Sequence, residues 1–68
     1  MTPYIIRELQ NAQSHRKGTT IQANSLTIAK RKASRMQFFQ GTVLTIESEK
    51  TGLLLSTKTD GHWNDDPR

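Results

Sequence analysis

The stretch SLTIAKRKASRMQFF, from Ser25 to Phe39, has the clearest helical period in this 68-residue chain. Its small and apolar residues recur at intervals of three and four, which is the spacing of one helix face. These residues are Leu26, Ala29, Ala33 and Met36. Asn24 or Ser25 offers an oxygen to the free amides of the first turn, and Gly41 suits a left-handed stop. We therefore predict a helix over about residues 25–38, with its apolar face turned toward a sheet.

Runs of β-branched and aliphatic residues on both sides of this helix predict strands. TVLTIE at 42–47 and LLLSTKT at 53–59 are separated by a polar segment of hairpin length. Before the helix, YIIRELQ and GTTIQA favour a second hairpin, over about 4–10 and 19–24. A helix over residues 4–17 is the alternative, because Thr2 offers a cap that is followed by a proline.

The predicted elements form a small α+β domain of order β-β-α-β-β. Its sheet has four strands and is mainly antiparallel, and the helix packs on one sheet face. Leu44 and Ile46 share one pleat face, as do Leu53 and Leu55, and we expect this face to meet the helix. The other sheet face is expected to be open, which an antiparallel sheet tolerates.

The length of the chain suits one domain, which we expect to span residues 1–63. We expect residues 64–68 to form a flexible tail, because they are polar and terminal. The chain has no cysteine, which excludes disulfides and favours a reducing compartment. Neither a signal peptide nor a run of about 20 apolar residues is found, so we expect a cytoplasmic protein with no membrane partner.

Positive charge is concentrated in the first part of the chain. The formal net charge is +4, but residues 1–40 hold seven Lys and Arg against one Glu, a net +6. Residues 41–68 hold three Lys and Arg against five acidic residues, a net −2. A local excess of this kind suits an acidic partner, although net charge also serves solubility.

The basic side chains of the predicted helix are the candidate binding residues. At about 100° per residue, three of them lie opposite the apolar face and the fourth lies at its edge. A basic loop before the second strand would extend this surface, which could contact phosphates and release counterions. A solvated helix face is the simpler alternative. The predicted contacts to nucleic acid or to an acidic protein surface are Lys30, Arg31, Lys32, Arg35, Arg16 and Lys17.

A protein–protein module is the alternative function, either an inhibitor of a host enzyme or a homodimer. Ile28 lies on the basic side of the predicted helix, roughly with Phe39, and an apolar spot among cations suits a protein interface. The open sheet face would add contact area, and the charges would steer the encounter.

No catalytic, metal or cofactor site is expected. His15 and His62 stand alone, without a second ligand at metal-binding spacing. No hydroxyl, base and orienting group form a recognisable constellation, and no glycine-rich loop is present to hold a phosphate. We therefore predict a protein that is not an enzyme, has no cofactor and acts on no small-molecule substrate.

The run from Ile21 to Glu47 resembles small uncharacterised proteins encoded by phages and prophages. A strand ending in Ala23 leads into a helix that carries Ser25-Leu26-Thr27, and Gly41-Thr42 opens the next strand. The resemblance implies a phage accessory module and transfers no activity. A similar layout occurs in small phage proteins that bind and inhibit host enzymes, which is an analogy at the level of the fold.

Overall fold

In a computed structural model, one α-helix packs on a five-stranded antiparallel sheet. The structure describes residues 1–9, 18–37 and 41–65. Its elements are β1 (Thr2–Leu9), β2 (Thr19–Ala23), α1 (Leu26–Met36), β3 (Val43–Ser48), β4 (Leu54–Thr59) and β5 (His62–Asp65). The strand order is β2-β1-β3-β4-β5, and all neighbours are antiparallel. The predicted α+β fold, with one helix on an antiparallel sheet, is confirmed.

The first segment of the chain is a strand and not a helix. β1 lies between β2 and β3, and its residues Tyr4 and Ile6 are buried. The alternative prediction of a helix over residues 4–17 is therefore wrong for residues 4–9, which lie in β1. The rest of that alternative, over residues 10–17, lies outside the described residues.

A fifth strand corrects the prediction of four. Asp60 and Gly61 both have positive φ, 51° and 80°, as the two central residues of a tight hairpin turn often do. The chain therefore folds back along β4 and forms β5. Asn64 and Asp65, which were expected in a flexible tail, lie in this strand. Their polar side chains gave no sign of a strand, because an edge strand needs little apolar surface.

Helix α1 begins and ends close to the predicted residues. The Ser25 side chain accepts a hydrogen bond of 3.3 Å from the Ile28 amide, so Ser25 is the N-cap. Gln37 has ψ of 123°, which ends the helix at Met36, two residues before the predicted end. Gly41 has φ of 81°, in the left-handed region that the sequence predicts for it. It does not stop the helix as predicted, because the C-cap is Gln37, four residues earlier.

The core lies between α1 and the helix-facing side of the sheet. Ala29 and Ala33 are completely buried, because a methyl side chain lets the helix backbone approach the strands. The sheet contributes Tyr4, Ile6, Ala23 and Ile46 to this core.

Leu53 does not join the core as predicted. Leu55 packs against the core, but Leu53 is 59% exposed. Leu53 lies in the connection just before β4, where its carbonyl accepts a hydrogen bond from the Ser48 amide. The β3–β4 register also shifts between Ile46 and Glu47, which breaks the simple alternation of faces.

The sheet face away from the helix is not uniformly open. Leu9 and Thr45 on this face are buried, and the Arg7 Nε donates to the Glu47 carboxylate at 3.1 Å. Gly18 directly precedes β2 and lies beside β1, because Thr19 pairs with Ile6. A Cβ built on Gly18 would be 2.2 Å from Ile5 Cγ2, so the Ile5 side chain leaves no room for one.

Candidate binding surface

Arg31 and Arg35 form the outward face of α1, which we call the helix surface. Both side chains are exposed, and their spacing of four residues places them next to each other. The helix contains no acidic residue that would offset the charge of the two guanidinium groups. Like charges at this spacing destabilise an isolated helix by about 0.2–0.5 kcal/mol. An anion that bound between them would relieve this repulsion.

Lys30 points away from the helix surface, toward β5. Its ammonium group lies 2.5 Å from Oδ1 of Asp65. The same carboxylate accepts a hydrogen bond of 2.9 Å from the Ser56 hydroxyl. The hydrogen bond from Lys30, and then that from Ser56, lower the pKa of Asp65 below its usual value of 3.8. Lys30 is thus paired within the chain, and a binding partner would compete with Asp65 for it.

Lys32 lies on the opposite flank of α1, against β2. Its ammonium group donates a hydrogen bond of 2.7 Å to the backbone carbonyl of Gln22. The three consecutive basic residues therefore point in three directions. Only the middle one, Arg31, joins Arg35 on the outward face, so the structure divides the predicted cluster.

Lys58 is a cation beside α1 that sequence reasoning missed. It lies on β4 and donates a hydrogen bond of 3.2 Å to the Ser34 hydroxyl. Its ammonium group is also 6.0 Å from the centre of the Trp63 ring. The hydrophobic pattern predicted β4, but the sequence has no signal for the register that brings Lys58 next to the helix.

The remaining predicted residues are partly covered or lie outside the described residues. Ile28 is half-buried and packs against the core, so it is not on the outward face where the sequence placed it. Phe39, Arg16 and Lys17 lie outside the described residues. The role of Ile28 in a protein interface stays a prediction.

The described residues offer neither a metal site nor a membrane-spanning helix. Among residues 1–9, 18–37 and 41–65, no three His, Asp or Glu side chains come together as a metal ion would require. The same part of the chain contains no helix that is long and apolar enough to span a membrane.

The chain is similar to a protein of known structure. No protein-family model matches the chain, and neither does any curated protein sequence. Among solved structures, AcrIF9, an anti-CRISPR protein of phage type, is similar to it at 50% sequence identity with a TM-score of 0.88. The match covers 100% of this chain and 91% of AcrIF9. This result supports the resemblance to small phage-encoded proteins, and the chain belongs to the AcrIF9 family.

Proposed function

We propose that this protein is a non-enzymatic phage anti-CRISPR inhibitor that acts by binding an acidic partner through the helix surface. The observation that carries this proposal is the 50% identity with AcrIF9 over the whole chain. At that identity the two proteins share their fold, and a shared fold alone does not establish function. The proposal therefore also rests on the charges around α1.

Electrostatics favour an acidic partner such as a nucleic acid. Arg31 and Arg35 are exposed, and a guanidinium group binds phosphate or carboxylate with two parallel hydrogen bonds. Lys30 and Lys58 lie on the β4–β5 side of the same helix and would extend the contact. A partner could draw Lys30 away from Asp65, and an anionic group of that partner would then take the place of the Asp65 carboxylate in the ion pair. This exchange would cost little, because an exposed ion pair contributes little to stability.

A protein–protein contact is the second candidate, and a different surface supports it. Leu53 and Leu54 expose large apolar side chains, at 59% and 42%. Met1 is 82% exposed and lies at the same end of the sheet, since Glu49 donates a hydrogen bond to Pro3. Apolar groups gathered at one end of a small protein often mark an interaction site. This surface would supply the apolar contact that the sequence assigned to Ile28 and Phe39.

Phage infection tests the proposed inhibition directly. A bacterium with the CRISPR system that AcrIF9 inhibits would express this chain and be challenged with a targeted phage. We expect plaque formation to recover by several orders of magnitude compared with an empty vector. An unchanged plaque count at verified expression of folded protein would refute the proposed inhibition.

Charge reversal then tests the helix surface. We expect Arg31→Glu combined with Arg35→Glu to abolish protection, because both residues would repel an acidic partner. The matched control is Lys50→Glu, an exposed cation at the β3–β4 turn. Protection that survived the double substitution would show that another surface binds the partner.

Salt dependence distinguishes a nucleic acid from an acidic protein surface. Filter binding of duplex and single-stranded DNA to the purified chain would be measured over a range of salt. If phosphates are bound, the slope of log K against log salt is about −0.9 for each phosphate neutralised on duplex DNA. We expect the slope to become shallower by about one unit when Arg31 is replaced by Gln. No retention of either DNA at low salt would leave a protein surface as the partner.

A further inference from the structure

The outer edge of β2 presents backbone groups that pair with no strand in the described part of the chain. Pro3 lies opposite Gln22 in the β1–β2 register, and proline has no N–H to donate. The Pro3 carbonyl accepts from the Glu49 amide at 3.3 Å, on the other side of β1. Gln22 therefore directs its N–H and C=O outward, and so does Thr20 two residues earlier.

Lys32 covers part of this edge. Its ammonium group donates to the outward carbonyl of Gln22 at 2.7 Å, and its side chain is exposed. An incoming strand would have to displace it from that carbonyl. Lysine at an edge strand is a common device in natural proteins against the joining of two sheets. The position of Lys32 fits this protective role.

Apolar surface lies next to the same edge. Ile28 is four residues before Lys32, so both side chains lie on the flank of α1 that faces β2. Ile21 projects from β2 on the helix-facing side, where it packs against the core. Ile21 and Ile28 are both half-buried, and a further strand along β2 would cover the part that is still exposed.

We propose that the β2 edge is a self-pairing surface for a second copy of this chain, and that Lys32 limits the pairing. The two β2 strands would run antiparallel about a twofold axis at Ile21. Thr20 of each copy would then face Gln22 of the other, and each such pair would exchange two hydrogen bonds. The outward groups of Thr20 and Gln22 are thus self-complementary, as a twofold interface requires.

Charge makes this pairing weak in the natural sequence. From the rise per residue and the spacing of strands, the two Gln22 carbonyls that the Lys32 ammonium groups cover would stand about 8 Å apart. This distance is comparable to the screening length at physiological salt, so two ammonium groups held near these carbonyls would repel each other. Removal of the charge also leaves the Gln22 carbonyl free to accept from the other copy. The association does not depend on the helix surface, and it is separate from the proposed inhibition.

Sedimentation equilibrium of the full chain tests this proposal. We expect Lys32→Met to form a dimer with a dissociation constant at least tenfold lower than that of the natural sequence. The matched control, Lys50→Met, removes the same charge at the β3–β4 turn and should associate like the natural sequence. The proposal is wrong if Lys32→Met associates no more tightly than the natural sequence at any concentration.

A second substitution locates the interface. Thr20→Pro removes an outward N–H from each copy, and that N–H takes no part in the bonding to β1. We expect Lys32→Met combined with Thr20→Pro to return to the association of the natural sequence. A dimer of undiminished strength in the double variant would place the contact elsewhere and overturn the proposal.

Amide hydrogen exchange provides a readout without a second substitution. In Lys32→Met, the amides of Thr20 and Gln22 should exchange more slowly in a concentrated sample than in a dilute one. The amide of Ile21 is bonded to β1 in both samples and serves as the internal reference. Equal rates for Thr20 and Gln22 at both concentrations would contradict edge pairing, whatever the folding of the double variant.

Discussion

Gly18→Ala should destabilise the protein, because the Ile5 side chain leaves no room for a Cβ at this glycine. A Cβ built on Gly18 lies 2.2 Å from Ile5 Cγ2, 3.2 Å from Arg7 Cγ and 3.4 Å from the Ile6 carbonyl oxygen. Two carbon atoms pack best at about 3.5–4.0 Å, so Gly18 and Ile5 would have to move apart by about 1.5 Å. Ile5 lies on a central strand, which cannot shift freely.

Overpacking of this kind costs about 1–3 kcal/mol. The loss of backbone freedom in the unfolded chain offsets about 0.4–1 kcal/mol of this, so we expect a net loss of about 1–2 kcal/mol. For a domain of this size, each kcal/mol lowers the melting temperature by about 4–8 °C. Urea unfolding followed by the fluorescence of Trp63 would measure the change.

A double-mutant cycle tests whether the Ile5 contact is the cause. Ile5→Ala removes the Cγ2 atom that the new methyl group would meet. We expect Gly18→Ala to cost at least about 1 kcal/mol less in the Ile5→Ala background than in the natural sequence. Our reasoning is refuted if Gly18→Ala leaves the free energy of unfolding unchanged, or if the two substitutions are additive within about 0.5 kcal/mol.

Two further predictions concern single side chains. The lowered pKa of Asp65 means that the Lys30–Asp65 pair stabilises the fold above the usual value of 3.8 and is lost as the pH falls below it. The stability difference between the natural sequence and Asp65→Asn, from urea unfolding across pH, should therefore shrink on acidification, and a constant difference would contradict this. The Thr45 hydroxyl is buried and has no hydrogen-bond partner among the residues that the structure describes, so Thr45→Val should raise the free energy of unfolding by about 1 kcal/mol, whereas a decrease would indicate that the hydroxyl is bonded.

The sequence predicts the parts of this fold that depend on local periodicity. Leu26, Ala29, Ala33 and Met36 lie at helical spacing, and the helix packs with Ala29 and Ala33 at the centre of its buried face. The strands before and after the helix are predicted by runs of β-branched and aliphatic residues, because these residues favour a pleated sheet. β5 could not be predicted in this way, because it is short and mostly polar, and it is held by backbone pairing with β4 and by bonds from the Ser56 hydroxyl to Asn64 and Asp65.

The candidate site was predictable only in part. Helical periodicity places Arg31 and Arg35 outward, and they are exposed in the structure. It cannot show that Lys30 meets Asp65 or that Lys32 meets a carbonyl of β2, since both contacts cross between elements that are distant in sequence. A long lysine side chain reaches whichever acceptor the tertiary fold supplies, and its own helical angle does not identify that acceptor.

The two completely buried alanines of α1 also affect how this protein can change over generations. Ala29 and Ala33 set the distance between helix and sheet, whereas Arg31 and Arg35 are exposed. Most substitutions at exposed positions change stability by less than about 0.5 kcal/mol. A lineage can therefore alter the outward residues to follow a changing target while two small inward residues preserve the architecture.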